Sequence, residues 1–224
     1  MTVHARSTRP HRRTAVAAAA TAAALVALLA GCGPSGPQPL PVDLVTFPAE
    51  TAAVATPGQE LAEGDVVTLP DATNGGKVRS IEATVVGSAA GDEAFWDTYD
   101  NGSGFAGEVP YFVVVQYRWV TGEASNQNAP LLRPVLDDGS EGSIVQLDAL
   151  IMNTDDACPF EVPTADDPRE LVECVVMTAP EGRTLTGVSW DSTTEYTIYA
   201  PDPAEAPFFA APVTWSTTPL QPQD

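Results

Sequence analysis

Histidine is nearly missing from this chain: His4 and His11 are its only two, and nothing after position 11 carries an imidazole. A domain built downstream of them cannot assemble a Ser-His-Asp triad, a Cys-His pair or the His-containing zinc sites. Bases are scarce as well. Ten Lys and Arg stand against 30 Asp and Glu, a formal net charge of −20, and Lys77 is the sole lysine. Such an acidic surface repels phosphate backbones, so nucleic acid is excluded as a partner. A Ser-Lys dyad of Ser80 with Lys77 fails on geometry, because a strand sends positions 77 and 80 to opposite faces. Asp-Thr-Gly and Asp-Ser-Gly are absent, which argues against aspartic-protease chemistry. Gly102-Ser103-Gly104 lacks the lysine and the following helix that a phosphate loop needs. No segment sustains an apolar stripe at 3.6-residue spacing, so little helix is expected.

What is present begins at the N-terminus. Met1 to Thr14 carries Arg6, Arg9, Arg12 and Arg13 without an acid, and Ala15 to Ala30 is almost wholly small and apolar. A basic stretch followed by an apolar one is an export signal, and this run is shorter than the roughly 18–20 residues of a spanning helix. Arg12-Arg13 raises twin-arginine export as an alternative to the general route. The run ends in Leu29-Ala30-Gly31-Cys32, which resembles the lipobox of bacterial lipoproteins. The resemblance implies cleavage before Cys32, a diacylglyceryl thioether on its sulfur, and a location on the extracytoplasmic face of the cell membrane. More than one acyl chain gives stable anchoring where one is marginal. Residues 1–31 would then be signal peptide. The remainder keeps six bases against 30 acids, a net charge of −24.

Of the three cysteines, Cys32 would take the lipid, leaving Cys158 and Cys174. An even pair in an oxidising compartment is expected to form a disulfide, with two free thiols or one catalytic thiol as the alternatives.

Residues 32–57 hold Pro34, Pro37, Pro39 and Pro41 and are expected to be an extended tether. Residues 217–224 are expected to be a disordered tail, and 58–216 the folded domain. Tyr111 to Val120 is the clearest strand: Tyr111, Val113, Val115, Tyr117 and Trp119 make one wholly apolar or aromatic face. Further strands are expected at Val66–Leu69, Val78–Val86, Leu131–Leu136, Ile144–Ile151, Cys174–Met177, Thr184–Trp190 and Glu195–Ala200. Asp137-Asp138-Gly139-Ser140 and Ala179-Pro180-Glu181-Gly182 read as turns. Seven or eight short strands with turns between them predict an all-β antiparallel sandwich.

About 24 residues separate the strand ending at Val86 from the one beginning at Tyr111, beyond the ~12–15 at which an unstructured connection becomes unusual and often functional. Phe95, Trp96, Tyr99 and Phe105 in this stretch are candidates for binding a partner or glycan; the competing expectation is that Phe95 and Trp96 form a short helix closing the core. Asp92, Asp97 and Asp100 are candidate oxygen ligands for calcium, although their spacing is not that of an EF-hand loop.

The run Tyr111-Phe112-Val113-Val114-Val115-Gln116-Tyr117, the turn Leu136-Asp137-Asp138-Gly139 and the segment Val175 to Gly182 together resemble the immunoglobulin-like, telokin-like domain of uncharacterised Gram-positive lipoproteins. The resemblance covers about Val78 to Ala200; Val120-Thr121-Gly122 stands where that family often has an Asn. It implies an immunoglobulin-like sandwich and a surface location, and no settled activity. The expectation is therefore a lipid-anchored, non-enzymatic module that binds or scaffolds an envelope protein or glycan. The alternatives are an extracytoplasmic hydrolase using paired carboxylates and a lipoprotein that captures a small ligand.

Overall fold

The computed structural model describes residues 39–70, 80–98, 102–121, 129–145, 158–192 and 207–221. The organising element is β4, Glu108–Trp119. Its two neighbours are β3, Ile81–Ala90, and β7, Glu170–Pro180, both antiparallel to it. β2, Val67–Leu69, pairs with β3, and β6, Ser143–Ile144, pairs with β7, which completes a five-stranded sheet in the order β2-β3-β4-β7-β6. The facing sheet has the order β1-β9-β8-β5: Glu60–Ala62, Val213–Ser216, Leu185–Trp190 and Arg133–Leu136. Within it β1 runs parallel to β9. The protein is thus an all-β sandwich, as the alternation of its strands predicts.

Period-two alternation makes the core. Tyr111, Val113, Val115, Tyr117 and Trp119 all turn toward the second sheet and are buried against Trp190, Trp215, Leu185 and Val213. Large aromatics each bury roughly 150–250 Å². Three tryptophans and two tyrosines therefore carry much of the drive for the two sheets to pack. Trp215 also donates its Nε1–H to the Asp65 carbonyl at 3.0 Å, so its one polar atom is satisfied.

The opposite face of the five-stranded sheet is not solvated. Phe112, Val114 and Val176 on that face pack with Trp96, Phe160 and Ala89 into a second core. Three pieces of chain cover it. One is the stretch between β3 and β4, which forms two short 3-10 helices, Glu93–Thr98 and Gly102–Phe105. The second is the loop around Phe160, stapled to β7 by the disulfide Cys158–Cys174. The third is the strap 39–56.

The strap corrects the expectation of a tether over 32–57, because its part from Pro39 onward is docked. Gln116 accepts from the Val45 N–H and donates to the Val45 carbonyl, both at 3.0 Å. Glu82, fully buried, accepts from the Ala52 N–H at 2.7 Å and from Arg118 at 2.5 Å. Arg118 in turn donates to the Pro48 carbonyl at 2.7 Å and lies over the Phe47 ring. A proline-rich segment cannot join a ladder throughout, but its extended backbone still offers groups that polar side chains can satisfy. The tail also differs from expectation. Thr217 and Pro219 are buried and Leu220 forms a parallel bridge with Ala89, so residues 217–221 belong to the fold.

Two strands, β1 and β9, stand where the sequence gives no strand signal; each is only three or four residues long. β7 and β3 run further than expected. The strand expected at Glu195–Ala200, and most of that expected at Ile144–Ile151, lie outside the described residues.

Candidate functional site

Three of the four aromatic residues expected to meet a partner, Phe95, Trp96 and Phe105, are used within the protein. Trp96 is buried and donates its Nε1–H to the Glu108 carbonyl at 2.7 Å. Phe105 stacks on it with centroids 4.3 Å apart, and Phe95 sets its ring edge-on to both Trp96 and Phe112. Gly91 makes this fold-back possible: a Cβ there would come within 2.7 Å of the Phe112 ring. The alternative expectation, a short helix closing a core, describes Phe95 and Trp96, and Phe105 from the second 3-10 helix joins them. Tyr99 lies outside the described residues.

Of the candidate calcium ligands, Asp92 and Asp97 are described, and neither belongs to a metal-binding group. Asp92 accepts from the Ala94 N–H at 2.8 Å and so caps the first 3-10 helix. Asp97 is exposed, and Asp100 lies outside the described residues. Among the described residues no three of His, Cys, Asp and Glu gather into a metal-binding group. Cys158 and Cys174 are bonded to each other, as expected. Cys32 lies outside the described residues.

A cavity that no sequence motif announces lies at the edge of β3. It has a volume of about 350 Å³. Its origin is a β-bulge. The register of β3 against β4 skips Val86, passing from Val85 to Gly87. A bulge bends its strand and shifts the alternation of faces. Before it Ile81, Ala83 and Val85 face the inner core; after it Ala89 faces the outer one, and Val86 packs there as well. Along its free edge β3 is partnered by β2 as far as Ala83 and by the Gly64 N–H at Val85. The edge is taken up again by Leu220, which bonds Ser88 and Ala90. Between these contacts, at Val86 and Gly87, no described strand pairs with the edge, and the cavity opens there.

Five separate segments line it: the strap at Pro41–Val45, the turn Glu63-Gly64, the bulge at Val86–Ser88, Phe160, and the tail at Thr218 and Leu220. The disulfide matters here, because it fixes Phe160 two positions after Cys158 and so sets one wall. Two carboxylates, Asp43 and Glu63, stand among apolar groups. Glu63 is held by a hydroxyl chain: Thr217 Oγ1 donates to Glu63 Oε2 at 2.6 Å, and Ser88 Oγ lies 2.6 Å from Thr217 Oγ1.

A second polar cluster is internal. The register pairs Val115 with Glu173 and Tyr117 with Leu171, which sets Glu173 on the core face diagonal to Tyr117. Burial pushes the Glu173 carboxyl up to about 7. Burial, and then the negative charge of Glu173, push the Tyr117 phenol well above its usual range. Among the described residues, the buried Trp119 Nε1–H has no hydrogen-bond partner.

Comparison with protein-family models, with curated proteins and with solved structures finds no match to this chain. The site therefore has to be read from its own chemistry.

Proposed function

We propose that this protein is a lipid-anchored extracytoplasmic module that captures a small ligand in the cleft at the edge of β3. The observation that carries the location is the pairing of Cys158 with Cys174. It removes two of the three cysteines and leaves Cys32, at the end of the basic-then-apolar leader, as the thiol for lipid attachment. A disulfide also suits an oxidising compartment. The kinship with telokin-like, immunoglobulin-like lipoprotein domains belongs to this proposal, and the all-β sandwich supports it. The capture of a small ligand is favoured over scaffolding of a large partner by one observation: Phe95, Trp96 and Phe105 of the β3–β4 connection are packed inward, while the cleft is open and lined by both carboxylates and apolar groups. A cavity of this size falls at the lower end of known small-ligand sites, roughly 300–1,000 Å³.

Intact-mass measurement of protein from native membranes tests the location. The expected species begins at Cys32 and carries an acyl increment there. Cys32→Ala is expected to leave the protein unacylated and released from the membrane fraction. A native species lacking acyl mass, or one that still carries residues 1–31, overturns the proposal.

A further inference from the structure

We propose that the cleft at the β3 bulge binds a primary ammonium group carried on a short apolar chain. This rests on the reading of the cleft as a ligand site and names the chemistry of its ligand. The cavity comes first. It is formed by chain segments distant in sequence, its walls include Val42, Val86, Phe160 and Leu220, and Leu220 is half exposed at its rim. An apolar body is thereby accommodated, with surface removed from water on both sides.

The polarity of the remaining lining decides what that body must carry. Among the described residues no lysine or arginine lines the cleft. Its side-chain donors there are Ser88 and Thr218, and Ser88 is committed. Thr217 donates its single proton to Glu63, so Ser88 must give its own proton to Thr217. The chain therefore runs one way, from Ser88 through Thr217 to Glu63. It leaves the Ser88 oxygen as an acceptor in the lining, beside the exposed carboxylate residues Glu63 and Asp43. Acceptors of this kind bind N⁺–H donors best, through charge-assisted hydrogen bonds. An anion would meet two carboxylates here and a strongly negative chain beyond them. An ammonium is a compact charge with three rotatable donors, whereas a guanidinium presents a larger planar fork.

The test uses the purified full chain and three probes of one length: pentylammonium, pentanol and pentanoate. Titration is followed by amide chemical shifts and by calorimetry. Pentylammonium is expected to bind saturably in the millimolar range and to shift the Val86 and Gly87 amides, with pentanol at least ~10-fold weaker and pentanoate silent. Glu63→Gln is expected to weaken pentylammonium about 10-fold. Asp43→Asn, at an exposed strap position, does the same without touching the hydroxyl chain and serves if the Glu63 variant fails to fold. Thr218→Trp, at an exposed rim position, is expected to block binding while leaving the unfolding midpoint in place. Equal affinity for pentanol, preference for pentanoate, non-saturating shifts, or full affinity in both carboxamide variants would overturn the proposal. None of these outcomes bears on Cys32 acylation, so the anchor and the cleft stand or fall separately.

Discussion

Glu173 sits where a hydrophobic side chain would be expected, on the core face of β7 between Leu171 and Val175. Its carboxyl has an ordinary value of 4.5 and is raised by burial to about 7 in the folded protein. Between those two values the native state holds a proton that the unfolded chain has released. Stability must therefore fall as pH rises from about 4.5 to about 7, and level off above that. A shift of this size corresponds to about 3 kcal/mol. Glu173→Gln removes the ionisation, so urea unfolding at pH 8 is expected to show a gain of about that order, and the contribution to the slope between pH 5 and 7 should vanish. Parallel pH profiles for the two proteins would refute this. Glu82 makes the opposite case: it is deeper but fully engaged, with Arg118 and the Ala52 N–H as partners. Arg118→Met leaves that carboxylate buried and unpaired, and frees Pro48 and Phe47 of the strap. A loss of about 3–5 kcal/mol is expected in denaturant unfolding. Neither role is visible in the sequence. On β7 and β4 both faces are buried, so apolar residues fill alternate and intervening positions alike, and a Glu on the inner face looks no different from one on an edge.

At the scale of elements, the legible parts are those whose pattern is local. β4 announces itself through five alternating aromatic and branched residues, and the turn at Asp137–Ser140 through its own side-chain chemistry: Asp138 accepts from the Ser140 backbone and hydroxyl. The strap is not legible, because its order comes from Gln116, Glu82 and Arg118, which lie far from it along the chain. The stretch between β3 and β4 reads only as a choice between display and packing, and its Trp96 side chain settles that choice. Trp96→Ala deletes the centre of the aromatic stack and is expected to cost about 3–5 kcal/mol, lowering the melting temperature markedly. An unchanged melting temperature would return the loop to the surface. The disulfide closes a short loop, worth roughly 3 kcal/mol on the chain-entropy view. Cys158→Ser with Cys174→Ser is expected to cost about that much, and also to loosen Phe160 and so weaken ligand retention in the cleft. Thermal unfolding and the alkylammonium titration read the two effects independently.

For the molecule as a whole, the scarcity of bases and histidine narrows the chemistry to be expected without reference to any fold, and the alternation of strands points to a sandwich. The cleft is hidden from the sequence for a physical reason. It has no motif of its own, since its walls come from positions near 42, 63, 87, 160 and 219, and only the bulge at Val86 and the docking of both flanking segments bring them together. That docking has a consequence for connectivity. Val42 lies against Gly87, and Leu220 bridges Ala89, so the two ends of the described body meet on one strand two positions apart. The order in which the chain visits its strands is then separable from the architecture. A circular permutant that joins 221 to 39 by a short linker and opens at the exposed turn of Gly182, between β7 and β8, is expected to fold with the same disulfide and a similar melting temperature. The same neighbourhood of ends means that any domain fused after Gln221 would sit at the mouth of the cleft, whereas one inserted at Gly182 would leave it clear.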